Sequence, residues 1–282
     1  MKTPMLILVT VALGAVAQAG SSIDPAARHS YGANIGWLDW QYDTSTPEGV
    51  TVSSYLLHGM IYSANVGWIN TGAGTPANGR QYVQTAGEWG VNHDGSGGLT
   101  GYAYGANIGW ISFDDNIAEP PRVDLTTGAM SGYAYSANVG WISLNGLTAC
   151  IDTGPDTDSD GIADAWEFEM QSLAGHPLDL TEMDGSTDSD GDGDTDLEEY
   201  EADTNPFDAN DYFRITSFSR TPVQADLGWN GSSRRVYQVK TSETLTSWTN
   251  VGPVTPLFSA TVPTGGKTKL FFRVESKFPT KP

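Results

Sequence analysis

The 282-residue chain has a single cysteine, Cys150. No disulfide can therefore close within it, and stability has to come from packing and bound ions. Basic side chains are scarce, 14 against 34 acidic ones, which leaves a formal net charge of -20. Such a surface lacks the general electrostatic attraction on which nucleic-acid binding depends, and it disfavours anionic lipid equally. Beyond the N-terminus no apolar run approaches the roughly 20 residues of a membrane helix, so no membrane span is expected in the mature chain. The four histidines, His29, His58, His93 and His176, have no metal-ligand spacing. Neither Gly-x-Ser-x-Gly nor His-Glu-x-x-His occurs, and we expect no enzyme.

What is present is glycine (33 residues) and aromatics (11%), the composition of a β-rich, turn-rich chain. Residues 1–19 carry Lys2, an apolar run from Met5 to Val16 and the small-x-small exit Ala17-Gln18-Ala19. That is the layout of a secretory signal, so cleavage near Ala19/Gly20 and a secreted or outer-surface location are expected. Charge divides the remainder. Residues 1–151 hold 4 basic and 10 acidic side chains, residues 152–211 hold none and 21, and residues 212–282 hold 10 and 3. The acidic stretch cannot fold compactly against its own repulsion without bound cations. The expected architecture is mainly β: a β-hairpin repeat domain (20–151), a calcium-loop segment with short helices (152–211) and a small β-sandwich (212–282).

One phrase occurs four times in the first domain: Tyr31-Gly-Ala-Asn34-Ile-Gly36-Trp37, Tyr62-Ser-Ala-Asn65-Val-Gly67-Trp68, Tyr104-Gly-Ala-Asn107-Ile-Gly109-Trp110 and Tyr135-Ser-Ala-Asn138-Val-Gly140-Trp141. Period-two alternation broken by Asn and resumed after Gly predicts one β-hairpin per copy. The Gly is expected to leave room for an aromatic face of the next unit. Two readings of the aromatics follow. In the first, Tyr and Trp form the core, stacking copy on copy. In the second, Trp37, Trp68, Trp110 and Trp141 face solvent and bind a glycan or surface protein. Their exposure separates the two. The phrase resembles the Gly-Tyr-Ala-aromatic-Ser-x-Asn-x-Gly-Trp-Ile repeats of bacterial exported proteins, a resemblance that implies no activity.

The acidic segment has a specific spacing. Asp156, Asp158, Asp160, Gly161, Asp164 and Glu167 occupy positions 1, 3, 5, 6, 9 and 12 of a twelve-residue calcium loop. Asp188, Asp190, Asp192, Gly193, Asp196 and Glu199 repeat the pattern, and Ile162 and Asp194 would supply the position-7 carbonyls. Calcium wants six to eight oxygens, so alternate carboxylates converging from a tight loop suit it, and two ions are expected. The segment departs from an EF-hand, because Thr153-Gly154-Pro155 leaves no entering helix before the first loop, and a calmodulin-like lobe is not expected. The segment is similar to thrombospondin type 3 calcium repeats, here without their cysteines. That resemblance implies short helices beginning at Asp-Ala-Trp166-Glu167 and Leu197-Glu-Glu199-Tyr200. Glu167 and Glu199 count against the competing dockerin pattern, which has Asp at position 12.

From Phe213 onwards, short alternating runs separated by Gly, Pro, Ser and Asn predict strands at 213–218, 223–229, 236–241, 257–262 and 270–274. This part looks like the module that often follows such calcium repeats in large exported bacterial proteins. Two function classes result. One is an exported calcium-binding structural or cell-surface protein whose two loops rigidify the link between two β-modules, and the other is a secreted adhesin or lectin-like module using the repeat aromatics.

Overall fold

The computed structural model describes residues 20–43 and 49–279, so the expected signal sequence at 1–19 lies outside the described residues. The chain is mainly β, with helices only at Asp164–Ala174 (α1) and Asp196–Ala202 (α2) among the described residues. It divides into two compact units, one ending at Asp184 and the other spanning Gly185–Phe278. No helix of the described residues is long and apolar enough to cross a membrane.

Each aromatic phrase folds as an antiparallel hairpin. Hairpin one joins Ile23–Gly32 to Gly36–Asp39, hairpin two Leu57–Ser63 to Gly67–Asn70, hairpin three Leu99–Gly105 to Gly109–Phe113, and hairpin four Tyr133–Ser136 to Gly140–Ser143. In every copy the Tyr lies directly opposite the Trp, as in Tyr104 and Trp110. The three-residue loop between the strands is followed by a glycine at φ 73–80° (Gly36, Gly67, Gly109, Gly140) that opens the second strand, a conformation costly for any residue with a Cβ.

The hairpins join edge to edge and close. Asp39 faces Tyr62, Ile69 and Asn70 face Gly105 and Tyr104, Ser112 faces Tyr135, and Ser143 faces Tyr31. Each junction advances two residues past the Trp, and four such steps close an eight-stranded antiparallel barrel with no free edge in the ring. A second ring caps its turn end. Asn65 Nδ2 donates to Ile35 O (2.9 Å), Asn107 to Val66 O (3.0 Å), Asn138 to Ile108 O (2.9 Å) and Asn34 to Val139 O (3.0 Å). A Cβ on Gly36 would sit 3.1 Å from the Asn65 amide. The repeat glycine thus makes room for the amide of the next copy, and the aromatic face expected there is absent from that position.

The expectation that Tyr and Trp form the core is overturned. Trp37, Trp68, Trp110 and Trp141 are 65%, 41%, 49% and 51% exposed, while Leu38, Ile69, Ile111 and Ile142 beside them are buried. The period of two is right and the face is reversed. An eight-stranded barrel has an interior only wide enough for side chains to fill it. The small and aliphatic members of the alternation, among them Ala103 and Ala134, take that space. One tryptophan is inside, Trp40, whose Nε1 donates to Ser30 Oγ at 2.8 Å. Urea denaturation should register the difference. Trp40→Ala is expected to cost about 3–5 kcal/mol by emptying the barrel. Trp110→Ala, losing a cross-strand surface pair, should cost at most about 1 kcal/mol.

The second unit contains two three-stranded antiparallel sheets. One orders Ile215–Arg220, Gln224–Trp229 and Ser259–Pro263, and the other Thr249–Thr255, Val236–Ser242 and Phe271–Lys277. Leu227, Trp229, Tyr237, Val239, Val262 and Val274 belong to one buried cluster drawn from both. The strand Thr249–Thr255 has no counterpart among the sequence expectations. Gly252 and Pro253 interrupt its pattern, which an edge strand tolerates.

Candidate metal centres

Both acidic loops fold the same way, and the side-chain bonds show why. In the first, Asp156 accepts from the backbone N–H of Ser159 (2.8 Å) and Gly161 (3.1 Å). In the second, Asp188 accepts from Gly191 (2.7 Å) and Gly193 (3.0 Å). Positions 4 and 6 have positive φ in both loops (65° and 99°, then 80° and 109°), which winds the chain tightly around the position-1 carboxylate. Asp160 accepts from Ile162 N (2.8 Å), as Asp192 does from Asp194 N (2.9 Å).

These turns gather carboxylates. Asp156, Asp158 and Asp160 offer oxygens within 4.8 Å of one another, and so do Asp188, Asp190 and Asp192. Asp164 and Asp196, at position 9, have a different task. Asp164 accepts from Thr157 N (2.7 Å) and Oγ1 (2.6 Å), and Asp196 from Ser189 N (3.0 Å) and Oγ (2.9 Å). Each clamps the start of its loop to the start of its helix. Sequence reasoning missed the partners Thr157 and Ser189; a hydroxyl at position 2 of both loops was the available signal.

The helices begin at position 9 and place Glu167 and Glu199 on their fourth residues. Thr195 and Glu198 form a reciprocal capping box at the start of α2. Ala163 offers α1 no side-chain cap, so tertiary packing holds that end: Ile162, Trp166, Glu167 and Gln171 are all fully or almost fully buried. Glu167 is 0% exposed, and neither of its carboxylate oxygens has a hydrogen-bond partner. Glu199 is 1% exposed; Oε1 accepts from Thr204 Oγ1 at 3.3 Å, while Oε2 has no partner. Asp190 Oδ2 and Asp192 Oδ2 are orphaned in the same way.

Burial first, and then repulsion from Asp160 and Asp158, pushes the Glu167 carboxyl up to about 8. Burial, followed by Asp190 and Asp192, pushes Glu199 up to about 8 as well. A buried charge without a partner is strongly unfavourable, and buried charges are paired or coordinate metals. These orphaned oxygens, held among three converging Asp side chains, fit a hard divalent cation that takes oxygen donors.

Each loop belongs to a different unit. In the first, Ile151–Asp152 pairs in parallel with Val50–Ser53 and delivers the chain to the loop, and Tyr55 Oη donates to Glu169 of α1 at 2.7 Å. In the second, buried Arg235 donates to the carbonyls of Tyr200 and Glu201 at the end of α2 and lies 3.7 Å from Asp203. Ser276 Oγ donates to Glu201 O at 3.0 Å, and Tyr200 packs on Phe278.

Compared with protein-family models, curated proteins and solved structures, the chain matches none. The reading of these loops therefore rests on their own geometry. The four tryptophans suggested as ligand contacts stand on the outer face of the barrel, each against its Tyr at 4.8–5.1 Å between ring centroids.

Proposed function

We propose that this is an exported calcium-binding structural protein in which two ions, one per loop, rigidify the chain on either side of the link between two β-modules. The supporting observation is the pair of buried glutamates that end the two twelve-residue acidic loops: neither oxygen of Glu167, and only Oε1 of Glu199, has a partner in the protein. Asp156, Asp158 and Asp160 with the Ile162 carbonyl and Glu167 would hold the first ion. Asp188, Asp190 and Asp192 with the Asp194 carbonyl and Glu199 would hold the second. The ion supplies the positive charge that lets these carboxylates stay ionised while buried.

On this reading calcium acts through the helices. Glu167 connects the first loop to α1, whose Glu169 reaches Tyr55 and Arg80 of the barrel unit. Glu199 connects the second loop to α2, which Arg235 holds to the sheets. With a dissociation constant of about 10 μM and about 1 mM calcium, each site contributes about 2.7 kcal/mol by mass action. Removing the ions should take the bound positive charge from a stretch that holds 21 acidic side chains and no Lys or Arg between residues 152 and 211. Small-angle scattering and limited proteolysis, with and without a chelator at constant ionic strength, test the proposal. The radius of gyration and the cleavage rate between Thr153 and Asn210 are expected to rise on chelation. No response in either would remove the architectural role and leave only the binding sites.

A further inference from the structure

We propose that the outer collar of the barrel is a saccharide-binding surface with one position per hairpin, built on the Trp–Tyr pairs and suited to uncharged sugars. This goes beyond the calcium reading and does not depend on it.

Hairpin stability accounts for each Tyr facing its Trp, since opposed aromatic residues strengthen a strand pair. It does not account for the rings added around those pairs. Trp89, which lies outside the hairpins, stands perpendicular to Trp110 at 5.0 Å between centroids, and Tyr102 adds a ring at 6.0 Å. Tyr133 makes the corresponding addition to Trp141 at 6.3 Å, and Tyr42 lies against Trp68 at 4.5 Å. Among the described residues of the barrel unit up to residue 151, every large hydrophobic side chain that is exposed is Tyr or Trp, except Val83. Clusters of exposed aromatic rings of this kind, one at each hairpin, mark interaction sites.

Its chemistry selects the ligand class. The strands of hairpins two, three and four contain no Asp, Glu, Lys or Arg, in a chain that is otherwise strongly acidic. Three of the four polar groups at the rim are neutral: Asn70 faces Tyr104, Ser112 faces Tyr135 and Ser143 faces Tyr31, while the fourth, Asp39, faces Tyr62. A nucleic acid or an anionic polymer would find no cation there. An extended peptide binds by adding to an open sheet edge, and the closed ring has none. A neutral sugar ring has an apolar C–H face for the indole and hydroxyl groups for the Asn and Ser rim. Position one differs, because Asp39 beside Trp37 is engaged by Arg28 (3.4 Å) and His29 (3.5 Å). Binding should therefore be strongest at Trp110 and Trp141.

The calcium-loaded full chain would be screened on an array of glucose-, mannose-, galactose- and N-acetylhexosamine-based neutral oligosaccharides, with sialylated and sulfated members as charged controls. Hits would be titrated in solution by tryptophan fluorescence. Binding confined to neutral members is expected. It should weaken at least about tenfold in the Trp110→Ala/Trp141→Ala double variant, as for truncation of an aromatic anchor. That variant should stay folded, with a thermal transition lowered by only a few degrees, as the loss of two surface pairs implies. Absence of binding to every neutral member at millimolar concentration would overturn the proposal. So would binding unaffected by the double variant, or a preference for the charged members. Self-association of the wild type that the double variant abolishes would assign the collar to contact between copies instead.

Discussion

Glu167→Gln is expected to lower the calcium stoichiometry from the proposed two ions per chain to one in a calorimetric titration, and Glu199→Gln to do the same through the other loop. A carboxylate that can offer two charged oxygens becomes a single neutral oxygen, at a position where buried acceptors lack partners: both oxygens of Glu167, and Oε2 of Glu199. The proton balance gives an independent readout. Both carboxyls are pushed up to about 8 in the metal-free chain, so at pH 7 both are mostly protonated. Calcium needs them ionised, and binding should release about one proton per site, seen as a buffer-dependent heat. The sign for stability follows. Because the folded pKa lies above the unfolded one, these groups favour the metal-free fold fully below about pH 4.5. That contribution is lost as the pH rises through 8, and saturating calcium should flatten the decline. Unchanged stoichiometry in both variants would remove the assignment.

Arg235→Ala is expected to destabilise the Gly185–Phe278 unit by about 3–5 kcal/mol, the range for breaking a buried ion pair from one side. Arg235 is 3% exposed, donates to two carbonyls at the end of α2 and stacks on Phe278 at 4.1 Å. Its loss takes the donor from those carbonyls and removes the guanidinium that lies 3.7 Å from Asp203. Since α2 also carries Glu199, the second calcium site should weaken while the first titrates as before. Urea unfolding with calcium titration of the same variant reads both effects. Equal weakening at both loops would show that the sites are not separable by unit.

Local chemistry made much of this legible in the sequence. The alternation Tyr102-Ala103-Tyr104 announced a strand, Asn107 and Gly109 a turn, and the Asp spacing two loops. Each of these patterns acts within a dozen residues. Which face of the strand is inside depends on the shape the sheet takes, and a sheet closed into a narrow barrel inverts the usual preference for burying the largest ring. Trp40 has the opposite parity to Trp37 in the alternation, so once the inner face is known it falls inside, beside Ser30 of the neighbouring strand. The division of the two loops between units was hidden for the same reason. The contacts that assign them, Tyr55 with Glu169 and Arg235 with Glu201, connect residues 114 and 34 positions apart.

The closing bond of the asparagine ring, Asn34 to Val139, spans 105 residues. A chain that has produced only its first three hairpins therefore holds an incomplete ring with two unpaired strand edges, and closing it late is intrinsically slow. Hairpin four of any other copy presents nearly the same turn and the same Tyr–Trp pair as the one still missing. Concentrated, partly folded chains are thus prone to complete each other's barrels, giving intertwined dimers in which one molecule lends its last hairpin to its neighbour.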